Sequence, residues 1–313
     1  MLEINNLTKI YGSVRALGGI DFRAEHGQIL GFLGPNGAGK STTMNIITGF
    51  IPKSGGSVKV CGIDIDEDPH EAKRRIGYLP EHTPLPVNMT VDEFLEFSSD
   101  LKKVPKADRK KGIDYAEELT GLAHVRQRLI RNLSKGYKQR VGIAQALIGF
   151  PEVLILDEPT SGLDPSQLIE IRALVRALGK SHTIIFSSHI LSEVDSVCNS
   201  VIIIYKGRIL ANGTPGEIAA GASKLKLTVQ GARESAIASI QKLPGIHKLR
   251  SEESAEGQAV FTIETEENTE LRPALFYALS EARLPILELT PQSASLEDAF
   301  VSLVTAAEKE EKI

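Results

Sequence analysis

The sequence predicts an α/β protein in two parts: a phosphate-loop core with a parallel sheet and an inserted all-helical subdomain, then a small C-terminal α+β domain of ferredoxin-like order. Three observations carry this expectation. GPNGAGKST, residues 34–42, lies between the apolar run QILGFL and the helix-compatible TMNIITGF, the strand–loop–helix setting that a phosphate loop requires. Upstream and downstream of it, short β-branched runs alternate with helical ones, as in a sheet covered by helices on both faces. After NGTPGEIAAGAS the pattern restarts as β-α-β-β-α-β, which is the ferredoxin-like sequence of elements.

Taken in order, LEINNLTKIY, QILGFLG, EVLILDE, HTIIFSS and SVIIIYKG read as strands of the parallel sheet, several of them apolar throughout. Between residues 82 and 150 the texture turns helical. VDEFLEFSSDLKK, ADRKKGIDYAEELTGL and KQRVGIAQALIGF carry three- and four-residue apolar spacing, with Pro84, Pro86 and Pro105 at the entries. These segments define a core over residues 1–216 with a helical subdomain at about 82–150. In the remainder, 217–313, KLKLTVQG, ESAIASIQKL, IHKLRS and QAVFTIE about an EESAEG turn, TELRPALFYALSEA and PILELTPQ supply the βαββαβ order. SLEDAFVSLVTAAE follows as an amphipathic helix running into the charge cluster EKEEK.

At 313 residues, 42% apolar and 24% charged, the composition is that of a globular protein with a sizeable core. The net charge of −4 comes with no basic stripe, so no nucleic acid is expected as a partner. No basic segment leads into an apolar one at the N-terminus, and runs such as VLIL and VIIIY are too short to span a bilayer. The chain is expected not to enter a membrane by itself. Cys61 and Cys198 are isolated from each other and from His at ligand spacing, which suggests two structural thiols in a reducing cytoplasm.

The chemistry concentrates in four stretches. In the phosphate loop (Gly34, Pro35, Asn36, Gly37, Ala38, Gly39, Lys40, Ser41, Thr42), glycines let successive N–H groups converge on one phosphate at a helix start. Lys40 supplies charge to the terminal phosphates and Ser41 a hydroxyl to Mg²⁺. VLILDEPTSGLD ends an apolar strand with two carboxylates. Since neighbouring strand residues face opposite ways, Asp157 is assigned to the Mg²⁺ shell and Glu158 to the attacking water. Alone, two acids after a strand would read as caps or surface groups; the phosphate loop is what favours chemistry. FSSHIL places His189 at the same sheet edge, where on its own it would pass as a structural histidine. LSKGYKQR, residues 133–140, runs into the periodic VGIAQALIGF and has the character of an anion-binding helix start, or simply of a helix capped by Ser134.

This set and its order, phosphate loop, LSKGYKQR, LILDEPTSGLD and SSHIL, resembles the ATP-binding subunit of ABC transporters over about residues 1–216. The resemblance implies an ATPase with ATP and Mg²⁺ as cofactors, Lys40, Glu158 and His189 in the catalytic constellation, His189 contacting the γ-phosphate, and Tyr11 stacking on adenine. It further implies that Ser134, Lys135, Gly136 and Tyr137 close over ATP held by a second subunit, so that the chain works as a homodimer or heterodimer docked on a membrane permease at the inner face of the membrane. Two departures stand out. The family signature is LSGGQ, whereas Lys135 and Tyr137 replace a Gly and the Gln here; and in GYLPEH, Glu81 stands where the family has Gln. A carboxylate at 81 still offers Mg²⁺ an oxygen while adding negative charge near the γ-phosphate.

YLPE, LSKGY and the ferredoxin-like tail with SLEDAFVSL together resemble the ATPases of small two-chain exporters for drugs and sodium and of gliding machinery. The helical insertion, with the loop from about Glu81 to Met89, is expected to be the docking surface for the permease, because its EHTPLPVNM tract mixes prolines with apolar residues as a groove for a partner helix would; the other reading of the tract is a solvated loop. A cytosolic relative acting on nucleic acid or the ribosome would carry tandem cassettes or a long coiled coil inserted between phosphate loop and signature, whereas one cassette is present here and Lys40 and Ser134 are only 94 positions apart. A purely regulatory nucleotide sensor would lack Glu158.

Overall fold

The computed structural model describes residues 1–220, 223–254, 257–265, 270–292 and 295–310. Gly221 and Ala222 of the small-residue linker, residues 255 and 256 of the EESAEG turn, Thr269 of TELRPALFYALSEA and residues 311–313 after the last helix lie outside them. The chain divides into two compact units, Met1–Thr214 and Pro215–Ile313.

Unit 1 begins with β1 (Leu2–Tyr11), β2 (Val14–Ala24), β3 (Ile29–Leu33), α1 (Lys40–Ile47), β4 (Gly55–Val60) and β5 (Ile63–Asp64). It continues through α2 (Pro69–Arg74), β6 (Ile76–Leu79), α3 (Val91–Leu101), α4 (Lys106–Thr120) and α5 (Lys135–Leu147). It closes with β7 (Val153–Asp157), α6 (Pro165–Leu178), β8 (Thr183–Ser188), α7 (Leu191–Val197), β9 (Ser200–Tyr205) and β10 (Arg208–Gly213).

Two sheets result. One is antiparallel, in the order β2-β1-β4-β5; the other runs β10-β9-β3-β8-β7-β6. In the second, β9, β3, β8, β7 and β6 are parallel and β10 pairs antiparallel with β9. LEINNLTKIY is therefore a strand, as its pattern suggests, but it belongs to the antiparallel sheet. The reason is local: β1 and β2 are joined by the short Gly12–Ser13 turn, and such a connection makes only antiparallel neighbours. The strands at the middle of the parallel sheet, β3, β8 and β7, are buried along their whole length, which is why they read as unbroken apolar runs. Leu30, Phe32, Ile155 and Ile185 join Leu2, Ile4, Phe22 and Val58 in one core beneath both sheets.

The helical subdomain forms where its capping chemistry allows. Thr90 and Glu93 make a reciprocal capping box at α3, Thr90 Oγ1 accepting from the Glu93 N–H (3.2 Å) and Glu93 Oε2 from the Thr90 N–H (2.7 Å). Pro105 precedes α4 and Gly121, in the left-handed region, ends it. α5 starts at Lys135, ahead of the Lys138 at which the apolar period becomes visible, because Ser134 caps it and its first turn is polar.

Unit 2 contains α8 (Pro215–Ala220), β11 (Ser223–Gln230), α9 (Arg233–Ile240), β12 (Ile246–Ser254), β13 (Gln258–Thr265), α10 (Arg272–Glu281), β14 (Ile286–Gln292) and α11 (Leu296–Glu310). Its sheet, ordered β12-β13-β11-β14 with every pair antiparallel, is the ferredoxin-like arrangement. Leu227, Phe261, Ile263, Leu275 and Leu279 fill a core of its own.

Candidate active site

Four neighbouring parallel strands, β3, β8, β7 and β6, end on one edge of the larger sheet. The chain leaves β3 into the phosphate loop, β6 towards Glu81, β7 at Asp157 and β8 at Ser188, so that four distant segments meet where open α/β sheets place ligands. A cleft of about 210 Å³ at this edge is lined by the loop residues Pro35 to Gly37 and Gly39 to Thr42, by Glu81, Glu158 and His189, and by Ala16 from β2; Gly34 and the buried Ala38 do not line it.

The loop is shaped by close approach. A Cβ on Gly34 would run into the Ile204 carbonyl of β9, and Gly39 takes φ 110° at the start of α1, a region open to glycine alone at no steric cost. Lys40 is the first residue of α1 and is buried at 6% exposure. Its ammonium donates to the carbonyls of Gly34 (2.7 Å) and Pro35 (3.3 Å). Burial lowers its pKa, against the pull of Glu158, Asp157 and Glu81.

The two acids after β7 are separated by backbone conformation, not by strand alternation. The strand ends at Asp157, and Glu158 adopts φ 48°, in the left-handed region, with its N–H donating to the Ser187 carbonyl (3.1 Å). That turn aims Glu158 into the cleft. Its Oε2 lies 2.8 Å from His189 Nδ1 and its Oε1 lies 3.9 Å from Lys40 Nζ. Burial raises the pKa of Glu158, while His189 and Lys40 oppose the shift. Asp157 is 3% exposed, its Oδ1 has no hydrogen-bond partner among the described residues, and burial raises its pKa against the Ser187 and Ser41 hydroxyls and Lys40.

This donor set fits a divalent cation. A buried carboxylate oxygen without a partner, the Ser41 hydroxyl beside it and the carboxylate of Glu81 are hard oxygen donors of the kind Mg²⁺ takes. Three carboxylates, Glu158, Asp157 and Glu81, surround the one ammonium of Lys40, an excess of negative charge that a cation would offset.

The other residues singled out by the sequence lie elsewhere in unit 1. Tyr11, at the end of β1, is 47% exposed with Lys9 Nζ 4.8 Å above its ring, and it does not line the cleft. Ser134, Lys135, Gly136 and Tyr137 do not line it either. Ser134 Oγ accepts from the Tyr137 N–H (3.3 Å), and the Tyr137 hydroxyl lies 3.0 Å from His124 Nε2. Gly136 is buried against Gln167 of α6, and the Lys135 ammonium lies over Gly162, whose φ is 66°. The signature thus sits on its own helix start, outside the cleft of its own chain.

Sequence reasoning missed Glu193 on α7, which is wholly buried behind Glu158 and His189. Its position four residues after His189, in the first turn of α7, is the signal that was available. Ala16 was missed as well, and nothing in a lone alanine marks it.

The ABC transporter family profile matches residues 17–161. The chain is 32% identical over 307 residues to the linearmycin resistance ATP-binding protein LnrL of Bacillus subtilis, spanning 97% of this chain and 98% of that one. It is 40% identical over 212 residues to the bacitracin transport ATP-binding protein BcrA of Bacillus licheniformis, covering 67% of this chain and 68% of that one. Among solved structures, the dimeric bacterial ABC transporter cassette MJ0796 superimposes with a TM-score of 0.61 at 25% identity, covering 68% of this chain and 98% of the cassette.

Proposed function

We infer the function from one fact: the chain belongs to the ABC transporter family as one of its ATP-binding subunits. It is an ATPase that binds ATP, pairs with a second such subunit and works with membrane permease components. The finer reading is that it energises export through a separate permease at the inner face of the membrane. Among the described residues no helix is long and apolar enough to cross a membrane. The names of the relatives, concerned with bacitracin transport and linearmycin resistance, support export. The −4 net charge and single phosphate loop speak against the nucleic-acid or ribosome reading, and the position of Glu158 in the cleft against a mere sensor.

The observation that carries the reading is Glu158 held between His189 and Lys40. In this assignment the loop N–H groups and Lys40 bind the phosphates, Lys40 exchanging its loop carbonyls for phosphate oxygens. Glu158 orients the attacking water and takes its proton, and His189 holds Glu158 in place and reaches the γ-phosphate. Asp157, Ser41 and Glu81 would hold Mg²⁺, which would supply positive charge to offset that of the phosphates. Tyr11 stacks on adenine, and Ser134 with the Gly136 N–H caps the γ-phosphate of the partner subunit. The test is substitution: Lys40→Ala weakens ATP binding, whereas Glu158→Gln keeps binding, slows hydrolysis by on the order of 10²-fold and accumulates an ATP-bound dimer on size-exclusion chromatography. A Glu158→Gln chain that hydrolyses ATP normally removes Glu158 from this role.

The loop from Glu81 to Met89 is the proposed permease contact. Val87 is exposed, yet its carbonyl and that of Met89 accept from Arg131 and Ile130, so the loop presents a fixed apolar surface. Val87→Asp is expected to release the permease during co-purification while the isolated subunit keeps its ATPase; undiminished co-purification contradicts it.

A further inference from the structure

Behind the Glu158–His189 pair lies a carboxyl that the reaction as assigned does not use. Glu193, in the first turn of α7, has no solvent exposure. Its Oε2 accepts two hydroxyl hydrogen bonds, from Thr160 Oγ1 at 2.6 Å and from Ser188 Oγ at 2.9 Å. Thr160 stands two residues after Glu158, and Ser188 immediately precedes His189. The contacts close on themselves: from Glu158 along the chain to Thr160, across Glu193 to Ser188, along the chain to His189, and back to Glu158 through the 2.8 Å approach of Nδ1 to Oε2. The Glu158 N–H to Ser187 carbonyl bond braces the same ring from within.

Burying a carboxyl in this position is costly unless its oxygens are satisfied. Only one is: among the described residues Oε1 makes no hydrogen bond, and Arg172 Nη2 of α6 stands 3.8 Å from it. A fold that needed only to fill this space would do so better with an apolar side chain. The side chain ties together two loops that reach the site from different strands, β7 and β8.

We propose that Glu193 is a positioning residue for ATP hydrolysis: by accepting hydrogen bonds from Thr160 and Ser188 on one oxygen, it fixes the loops that carry Glu158 and His189, and so sets the distance between those two side chains. The proposal rests on the assignment of Glu158 and His189 given above. It separates binding from turnover, because the phosphate loop is built by β3 and α1 and meets the ring only through the 3.9 Å approach of Lys40 Nζ to Glu158 Oε1, while Thr160, Glu193 and Ser188 come from other segments. Loosening the ring lets Glu158 drift from the water while the phosphates stay held, and misplacement on the order of 1 Å lowers turnover by up to roughly a hundredfold.

The experiment compares ATP affinity, KM and kcat for Thr160→Val, Glu193→Ala, His189→Ala, Glu158→Gln and the double variant His189→Ala/Glu193→Ala. Thr160→Val exchanges one hydroxyl for a methyl group of similar shape, and it decides the matter if Glu193→Ala does not fold. Expected are a roughly ten- to hundredfold fall in kcat for Thr160→Val and Glu193→Ala with KM and ATP affinity little changed. The double variant should be scarcely slower than His189→Ala alone, since residues acting through one another do not multiply. A purely structural role would cut activity by the same factor in both backgrounds, and that result, or a Thr160→Val chain with wild-type kcat, overturns the proposal. If His189→Ala and Glu158→Gln themselves turn over normally, the underlying assignment has failed; if they are slow and Thr160→Val is fast, only the role of Glu193 has.

Discussion

Lys40 and Glu158 approach across the cleft without joining: Nζ lies 3.9 Å from Oε1, while the ammonium's hydrogen bonds go to the carbonyls of Gly34 and Pro35. Both side chains are buried, so each is exposed to the other's field with little water between them. In the assignment proposed above, phosphate oxygens would replace those carbonyls as partners of Lys40, while the 2.8 Å approach of His189 Nδ1 would keep Glu158 Oε2 in place.

The clearest expectation concerns which chain's ATP the signature serves. Gly136 is crowded by Gln167 within its own subunit, so a side chain there would disturb the helix as well as any ligand. Ser134→Asp is the cleaner probe: aspartate caps a helix as well as serine does, while its charge repels a phosphate. In mixed dimers of Lys40→Ala with Ser134→Asp, one composite site loses both halves and the other keeps an intact loop and an intact signature. Trapped ATP should exceed that of either variant alone. Equal trapping in demonstrated mixed dimers would place the signature's action within its own chain.

Glu81 lines the cleft as an exposed carboxylate and adds to the negative field that Asp157 and Lys40 feel. Glu81→Gln keeps an oxygen and should leave ATPase activity within a small factor, whereas Glu81→Ala should shift the Mg²⁺ titration to higher concentration. Superimposable titrations for wild type and Glu81→Ala would exclude it from the cation's shell.

A pH dependence of stability follows from the helical subdomain. Burial, with Asp92 beside it, pushes the Glu117 carboxyl on α4 up to about 7 from an ordinary 4.5, against Arg126. The folded chain thus holds the extra proton between those values, and the stability that the neutral carboxyl confers, complete below 4.5, is lost as pH rises through 7. Glu117→Gln stays neutral throughout. Its melting temperature relative to wild type should rise steadily between acidic and mildly alkaline buffer, and a constant difference would contradict the assignment.

We expect the two units to be separable domains. Among the described residues Met1–Thr214 and Pro215–Ile313 each contain a hydrophobic core of their own, so truncation after Thr214 should leave a folded, ATP-binding protein, and the tail is proposed to act in regulation or in stabilising the dimer. An insoluble truncation would show that the units depend on each other for folding.

What the sequence made legible and what it hid divide along physical lines. The phosphate loop and the carboxylates after VLIL could be read because each is a contiguous stretch whose local conformation is set by its own glycines and apolar run. The buried strands β3, β7 and β8 were legible for the same reason. The antiparallel pairing of β1 was not, since an amphipathic strand carries no mark of its partner's direction. Alternation along a strand gave Asp157 and Glu158 different tasks for an inapplicable reason; the left-handed turn at Glu158, which no residue type announces, is what separates them. Glu193 stayed hidden because its meaning lies in two hydroxyls from other segments, visible only once the strands are side by side.

Lys135 and Gly162 carry one more implication. The lysine's ammonium fills the volume that a side chain at 162 would take, over a backbone already in the left-handed region. A methyl group at 162 would be disfavoured twice, by the left-handed backbone and by the ammonium, and would turn that ammonium outward, redirecting the one positive charge by which this signature differs from the usual glycine. Glycine at 162 is thus called for by its φ of 66° whatever residue stands at 135, whereas Lys135, which meets it only through the far end of a flexible side chain, can be exchanged without straining the loop.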